Sequence, residues 1–367
     1  MFAIIDQTAF NHGKNRPLSL LELFSLGWDE RHAILTRPQF DPTANAPANT
    51  WINTLSTPLQ REVTQILTQG ISLALRRPIN TSRITVISSE SNWENARINI
   101  NDAVRLLRTP LKILLENSRN DFHFLLQLAP PTQRQELNEF INKGWIEIEQ
   151  AGGLGEMKTI LEDLYTAPPS DISSHIHRLR LWVMFDRDSD AADRSQASAA
   201  SNQVRSICER FKAQKPWPLD FFQLGRRSIE NYIPLDALKA WQAERSGAEG
   251  TDRRRTVEAF AFLGKQSPSA KWQYNMKSGF YGDLSRATLT EIENQGRDLR
   301  ATDVDPIFAP LDDASRQSLS HGFGKDIARL YKRHQTSWET SFEAEYNQGP
   351  SNQPQRLHLL SSIISRM

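Results

Sequence analysis

The chain has 367 residues, 38% hydrophobic and 24% charged, with a formal net charge of +1. That is room for about two domains of roughly 100–200 residues each, in a globular rather than disordered composition. No apolar stretch approaches the ~20 residues of a membrane span, and Cys208, the single cysteine, excludes an internal disulfide framework or a cysteine-based zinc cluster.

The opening MFAIIDQTAF carries Asp6 and no cationic start, so it does not read as a signal peptide, and a cytoplasmic location is expected. Helix-spaced apolar residues follow at Leu18–Leu26 and Pro58–Leu75, the second interrupted by Gly70. Asp41–Asn49 reads as a loop, and the β-branched run Arg83–Ser88 as a strand. Residues 1–109 are therefore expected to form an amino-terminal α/β region, helical with some strand.

From Pro110 the pattern becomes regular. Lys112–Leu115 is a short apolar run ending at Glu116, and Asp121–Leu128 is a helix candidate. Trp145–Ile148 is the next strand candidate, followed by the glycine turn Gly152–Gly155 and a helix from Glu156 to about Tyr165. Arg180–Phe185 forms a third apolar run, ending at Asp186. A long helix is expected within Ala191–Lys212, and a fourth strand at Leu219–Leu224. Alternating strands and helices predict a parallel sheet covered by helices over 110–234. Ligands bind such sheets at the carboxyl ends of the strands, where Glu116 and Asp186 lie.

Residues 235–367 read as mainly helical, with interruptions at Ser246–Gly250 and Asp303–Pro310, a polar loop at Asn347–Gln355 and a last amphipathic helix from Arg356. The near-zero net charge conceals an uneven distribution. Ser201–Phe280 has 14 Lys/Arg against 8 Asp/Glu, whereas Tyr281–Ser320 has 4 against 8. Basic runs such as Arg226-Arg227 or Arg253–Arg255 are candidates to meet phosphates, or are solvated helix faces.

The run Asp186, Asp188, Asp190 admits several readings. Magnesium prefers oxygen ligands and keeps several waters, and Asp186 and Asp188 on a strand end and its loop can face one ion, with Glu116 from a neighbouring strand. A helix–loop–helix calcium site fails, because its sixth and twelfth positions are Ala191 and Ala197 instead of Gly and Glu. A phosphatase of the haloacid-dehalogenase type would make Asp186 a nucleophile, but normally has Thr or Val where Asp190 stands. A charged turn capping the following helix remains open.

The series KILLENSRND, GGLGEMKTIL, LWVMFDRDSD and LGRRSIENYIP, spanning roughly Pro110–Pro234, resembles the Toprim domain as found in OLD-like nucleases of bacterial defence. The resemblance implies that Glu116 takes part in acid–base work and metal binding and that Asp186 and Asp188 hold Mg²⁺ or Mn²⁺, with Asp190 an optional ligand. The run from Arg226 to Tyr232 is similar to the segment after the last Toprim strand, which makes Glu230 a further candidate ligand. Tyr274–Phe280 resembles a carboxyl-terminal segment of such proteins, with Lys277 a candidate for stabilising phosphate charge. One departure stands out: Asn117 replaces the usual glycine, and Asp121 lies five residues after Glu116 instead of four, which disfavours a topoisomerase or primase.

The expectation is a Toprim-type nuclease that cleaves DNA or RNA, with Arg226 and Arg227 on the nucleic acid. No ATPase module is evident in the chain, so a partner ATPase or sensor protein is expected, as is an oligomer. The competing expectation is a latent or degenerate Toprim subunit that binds nucleic acid or regulates without catalysis of its own.

Overall fold

A computed structural model describes residues 1–13, 17–44, 47–190, 193–213, 219–333, 337–350 and 355–367. It is an α/β structure with two four-stranded parallel sheets flanked by helices. In the first, β1 (Phe2–Ile5), β2 (Ala33–Thr36), β3 (Arg83–Ile87) and β4 (Arg97–Asn99) take the order β2-β1-β3-β4. In the second, β5 (Leu111–Leu115), β6 (Ile146–Gln150), β7 (Leu181–Phe185) and β8 (Asp220–Gln223) take the order β6-β5-β7-β8.

Residues 110–234 follow the expected alternation closely. The four apolar runs become β5 to β8, and the intervening helices are Ser118–Leu128, Pro131–Asn142, Leu154–Thr166, Ile172–Leu179 and Ala199–Lys212. Helix formation after β7 starts only at Ala199, and positions 191 and 192 lie outside the described residues. Continuous apolar runs suit strands covered on both faces. Leu111, Ile113 and Leu115 of β5 face one core, whereas Leu114 joins Val183 and Phe185 against the helices Leu154–Thr166 and Ala199–Lys212.

Residues 1–109 hold more strand than their sequence advertises. Only β3 was legible. The runs at Phe2–Ile5 and Ala33–Thr36 are four residues each, and Arg97–Asn99 is three, too short for a periodicity signal. The helix Thr57–Arg76 also runs unbroken through Gly70. There it crosses β2 so closely that a Cβ on Gly70 would collide with the Ile34 carbonyl oxygen. The glycine is a close-approach residue, not a helix interruption.

The carboxyl-terminal region is mainly helical, and it shares one continuous apolar core with the second sheet. Phe124 packs against Tyr232, Tyr331 and Phe342. The interruption expected at Ser246–Gly250 is largely helical instead, since the helix Gly247–Gln266 begins there, whereas two short 3₁₀ turns fill the irregular stretch near Asp303–Pro310. Part of the expected polar loop, 351–354, lies outside the described residues. The helix Arg356–Arg366 joins both sheets: the Ser365 carbonyl accepts from the Ser82 amide at 3.0 Å, and Arg366 meets Asp220 at 3.1 Å. Among the described residues no helix is long and apolar enough to cross a membrane.

Alanine ordinarily stabilises a helix relative to glycine by about 1 kcal/mol. At position 70 the backbone collision reverses the sign. Gly70→Ala is expected to lower stability by about 1–3 kcal/mol in urea unfolding; an unchanged or higher midpoint would show that the helix stands off from β2.

Candidate active site

Within the second sheet the chain changes direction between β5 and β7, which are neighbours in space although β6 intervenes in sequence. A crevice opens at the carboxyl ends of strands at such a switch point. Glu116 follows β5 and Asp186 follows β7, so the two carboxylates meet across it. Burial, reinforced by the charge of Asp188, pushes the Glu116 carboxyl up to about 7. Asp186 is buried and is held well above the ordinary carboxylate range, again by burial first and by Glu116 second.

The loop after Asp186 is held by its neighbours. Asp188 takes a left-handed conformation with φ 46°, a region that aspartate enters more readily than bulkier residues. Its amide donates to the Arg227 carbonyl at 2.8 Å, and the Ser189 hydroxyl donates to Gln273 at 2.7 Å. Burial raises the Asp188 carboxyl, against the opposing charges of Arg227 and Lys277. Asp190 belongs instead to the loop that follows: its carboxylate accepts the Asp193 amide at 3.3 Å, and its own amide donates to Gln196.

Glu230 enters from the 3₁₀ turn Ile229–Tyr232 and is 1% exposed. Lys277 reaches it from the carboxyl-terminal region, with Nζ 3.2 Å from Oε1. Burial pulls the lysine down, but the charges of Glu230 and Asp186 outweigh it and hold Lys277 above its ordinary value. One carboxylate escaped the sequence-based assignment. Asp121 accepts the Asn117 amide at 2.7 Å, and burial pushes it up to about 7 despite that bond. Glu116 and Glu230 raise it further, so Asp121 belongs electrostatically to the same cluster. The loop that begins at Asn117 is thus closed by Asp121.

The glycine turn also serves the crevice. Gly152 and Gly153 adopt φ 88° and 129°, and the Gly152 amide donates to the Glu116 carbonyl at 3.1 Å. A turn of this kind needs residues without a Cβ.

The adjacent arginines require a correction. Arg226 is 0% exposed: it pairs with Glu345 at 2.5 Å, donates to the Asn231 carbonyl at 2.6 Å and lies over the Tyr232 ring. A guanidinium so enclosed is out of reach of a phosphate backbone. Arg227 is only partly exposed and makes two bonds of 2.7 Å to Asp283, which fixes the carbonyl that holds Asp188. Both arginines build the site from behind.

The donor set is all oxygen, which suits a hard divalent cation. Glu116 Oε2 and Glu230 Oε2 are buried without a hydrogen-bond partner, the condition expected of groups awaiting a cation. Among the described residues, however, no three His, Cys, Asp or Glu side chains stand close enough to form a ready-made ion-binding group. The donor chemistry fits a divalent metal, although the described side chains as positioned do not enclose one. Comparison of the chain with protein-family models, curated proteins and solved structures returned no match.

Arg226→Ala is expected to destabilise the fold by about 3 kcal/mol, since it removes one of the two cations paired with the buried Glu345 and the donor to the Asn231 carbonyl; a change under about 0.5 kcal/mol, typical of surface sites, would mean that the side chain is not a structural element. The carboxylates also predict a pH dependence. Glu116 and Asp121 have folded values raised to about 7, so the folded state binds more protons than the unfolded chain. Their contribution is fully present below the unfolded values and is lost as pH rises towards about 7. The metal-free thermal midpoint should therefore fall as pH rises from about 5 to about 7.5, with a smaller fall in Asp121→Asn; equal slopes in the two proteins would remove Asp121 from the cluster.

Proposed function

We propose that this protein is a metal-dependent nuclease of the Toprim type, hydrolysing phosphodiester bonds of DNA or RNA. The observation that carries this reading is the electrostatic clustering of Glu116, Asp186, Asp188 and Glu230, from three separate points of the chain, with Lys277 at one strand-end crevice. The sequence resemblance to OLD-like nucleases rests on the order of these residues and on the glycine turn.

Glu116, Asp186, Asp188 and Glu230 would hold Mg²⁺ or Mn²⁺. A bound ion supplies polarisation of a phosphoryl oxygen and a lowered pKa for water. The chain's own groups do the rest. Glu116, raised to about 7 and with Oε2 unpartnered, is suited to accept a proton from water near neutral pH. Lys277, whose side chain is half exposed, can place its ammonium against a substrate phosphate. Asp121 keeps the Asn117 amide oriented and so positions the loop that begins at Glu116.

A role in anti-phage defence with a partner ATPase follows from the same resemblance. A latent subunit is the second reading, favoured by the absence of a ready-made ion-binding group among the described residues. Co-purification with an ATPase, and activity only in that complex, would support it.

Plasmid, single-stranded DNA and tRNA should be incubated with the protein in Mg²⁺ or Mn²⁺, with and without native partners. Cleavage is expected, and Asp186→Ala or Asp188→Ala should reduce it by at least about 100-fold, the scale of losing a main electrostatic contributor. Activity surviving both substitutions would place the catalytic centre elsewhere.

A further inference from the structure

Lys277 joins a half-exposed side chain to a buried partner. Its side chain is 46% exposed, yet its ammonium pairs with Glu230, whose side chain is 1% exposed. The backbone that carries it is pinned on both sides. The Met276 carbonyl accepts from the Phe323 amide at 2.7 Å, and the Asn275 side chain accepts from the Ser278 amide at 3.1 Å while donating to Asp283 at 3.0 Å. Gly279, at φ 61°, lies so close to the Ser320 carbonyl that a Cβ would not fit. The long side chain is therefore the part that can move.

We infer that Lys277 is the resident counter-cation of this site: its ammonium, seated on Glu230 among the buried carboxylates, does the charge balancing that a divalent ion would do, and ion entry displaces it. The inference rests on the metal-dependent reading and adds an order of events to it. Without the ion, Lys277 offsets part of the repulsion among Glu116, Asp186 and Glu230, whose charges all act on it. One ammonium cannot satisfy them all, which is why Glu116 Oε2 and Glu230 Oε2 remain without partners. With Glu230 engaged by an ion, Lys277 would be released and would turn outward on its exposed stem to meet a substrate phosphate. The same charge would first compete with the metal and then serve the substrate.

The test is Mn²⁺ binding by calorimetry, with no nucleic acid present, on the full-length wild type, Lys277→Met and Lys277→Arg. Lys277→Met should bind Mn²⁺ at least about tenfold more tightly, a difference of about 1.4 kcal/mol, and Lys277→Arg should stay near wild type. A second measurement needs no variant: acetic anhydride labelling of Lys277, read by mass spectrometry, should increase when Mn²⁺ is added. Equal or weaker Mn²⁺ binding by Lys277→Met, or labelling that is unchanged or falls, would overturn the inference while leaving a metal-dependent nuclease intact. Failure of the wild type to bind Mn²⁺ at all would overturn both.

Discussion

Four carboxylates held largely out of water around one crevice repel each other and lose hydration, so their neutral forms are favoured. Glu116, Asp121, Asp186 and Asp188 are under this constraint, while the buried Glu230 beside them pairs with the half-exposed Lys277. The surrounding chain is organised to keep them there. Short backbone bonds fix the segments that carry them: Gly152 to the Glu116 carbonyl, Asp188 to the Arg227 carbonyl and Asn117 to Asp121. A rigid frame of this kind prevents the carboxylates from separating into solvent, which would be the ordinary response to like charge.

The frame depends on ion pairs behind the crevice. Arg226 and Lys271 share Glu345, and Arg227 is gripped by Asp283, which also accepts from Asn275. Arg134 and Arg356 share Glu339 farther out. Buried pairs of this kind contribute little net stability, but losing one partner leaves an uncompensated charge. Their effect here is geometric: they seat residues 268–283 and the helix Glu339–Asn347 against the second sheet, which brings Lys277 to a site otherwise made by residues 116–230. The carboxyl-terminal region completes the crevice.

The first sheet repeats the strand order of the second but lacks its acidic crowding. Asp6, at the end of β1, accepts from Thr8, which lowers its carboxyl instead of raising it. Equal topology therefore does not produce equal chemistry. What distinguishes the second sheet is the set of side chains that the loops deliver to the crevice. The terminal helix binds the two sheets through Ser365 and Arg366, so the chain packs as a connected structure rather than as separate modules.

Local sequence by itself determined the second sheet and three of its acidic residues. Strands buried on both faces need uninterrupted apolar runs, and the first polar residue after such a run marks a strand end, which is how Glu116 and Asp186 became legible. Short strands such as Arg97–Asn99 carry too few side chains to show a pattern, so the first sheet emerged only through its pairing partners. The fate of the neighbouring arginines was equally hidden. Arg226 and Arg227 look alike in a basic dipeptide, but Glu345, 119 residues away, draws one into the core, and Asp283 holds the other behind Asp188. Asp121 joined the acidic cluster because a turn folds it back onto Asn117, and Lys277 met Glu230 because a shared apolar core seats the carboxyl-terminal region on the sheet. Residue type and spacing thus specify which groups stand at strand ends, whereas burial and partners distant in the chain decide which charges face one another.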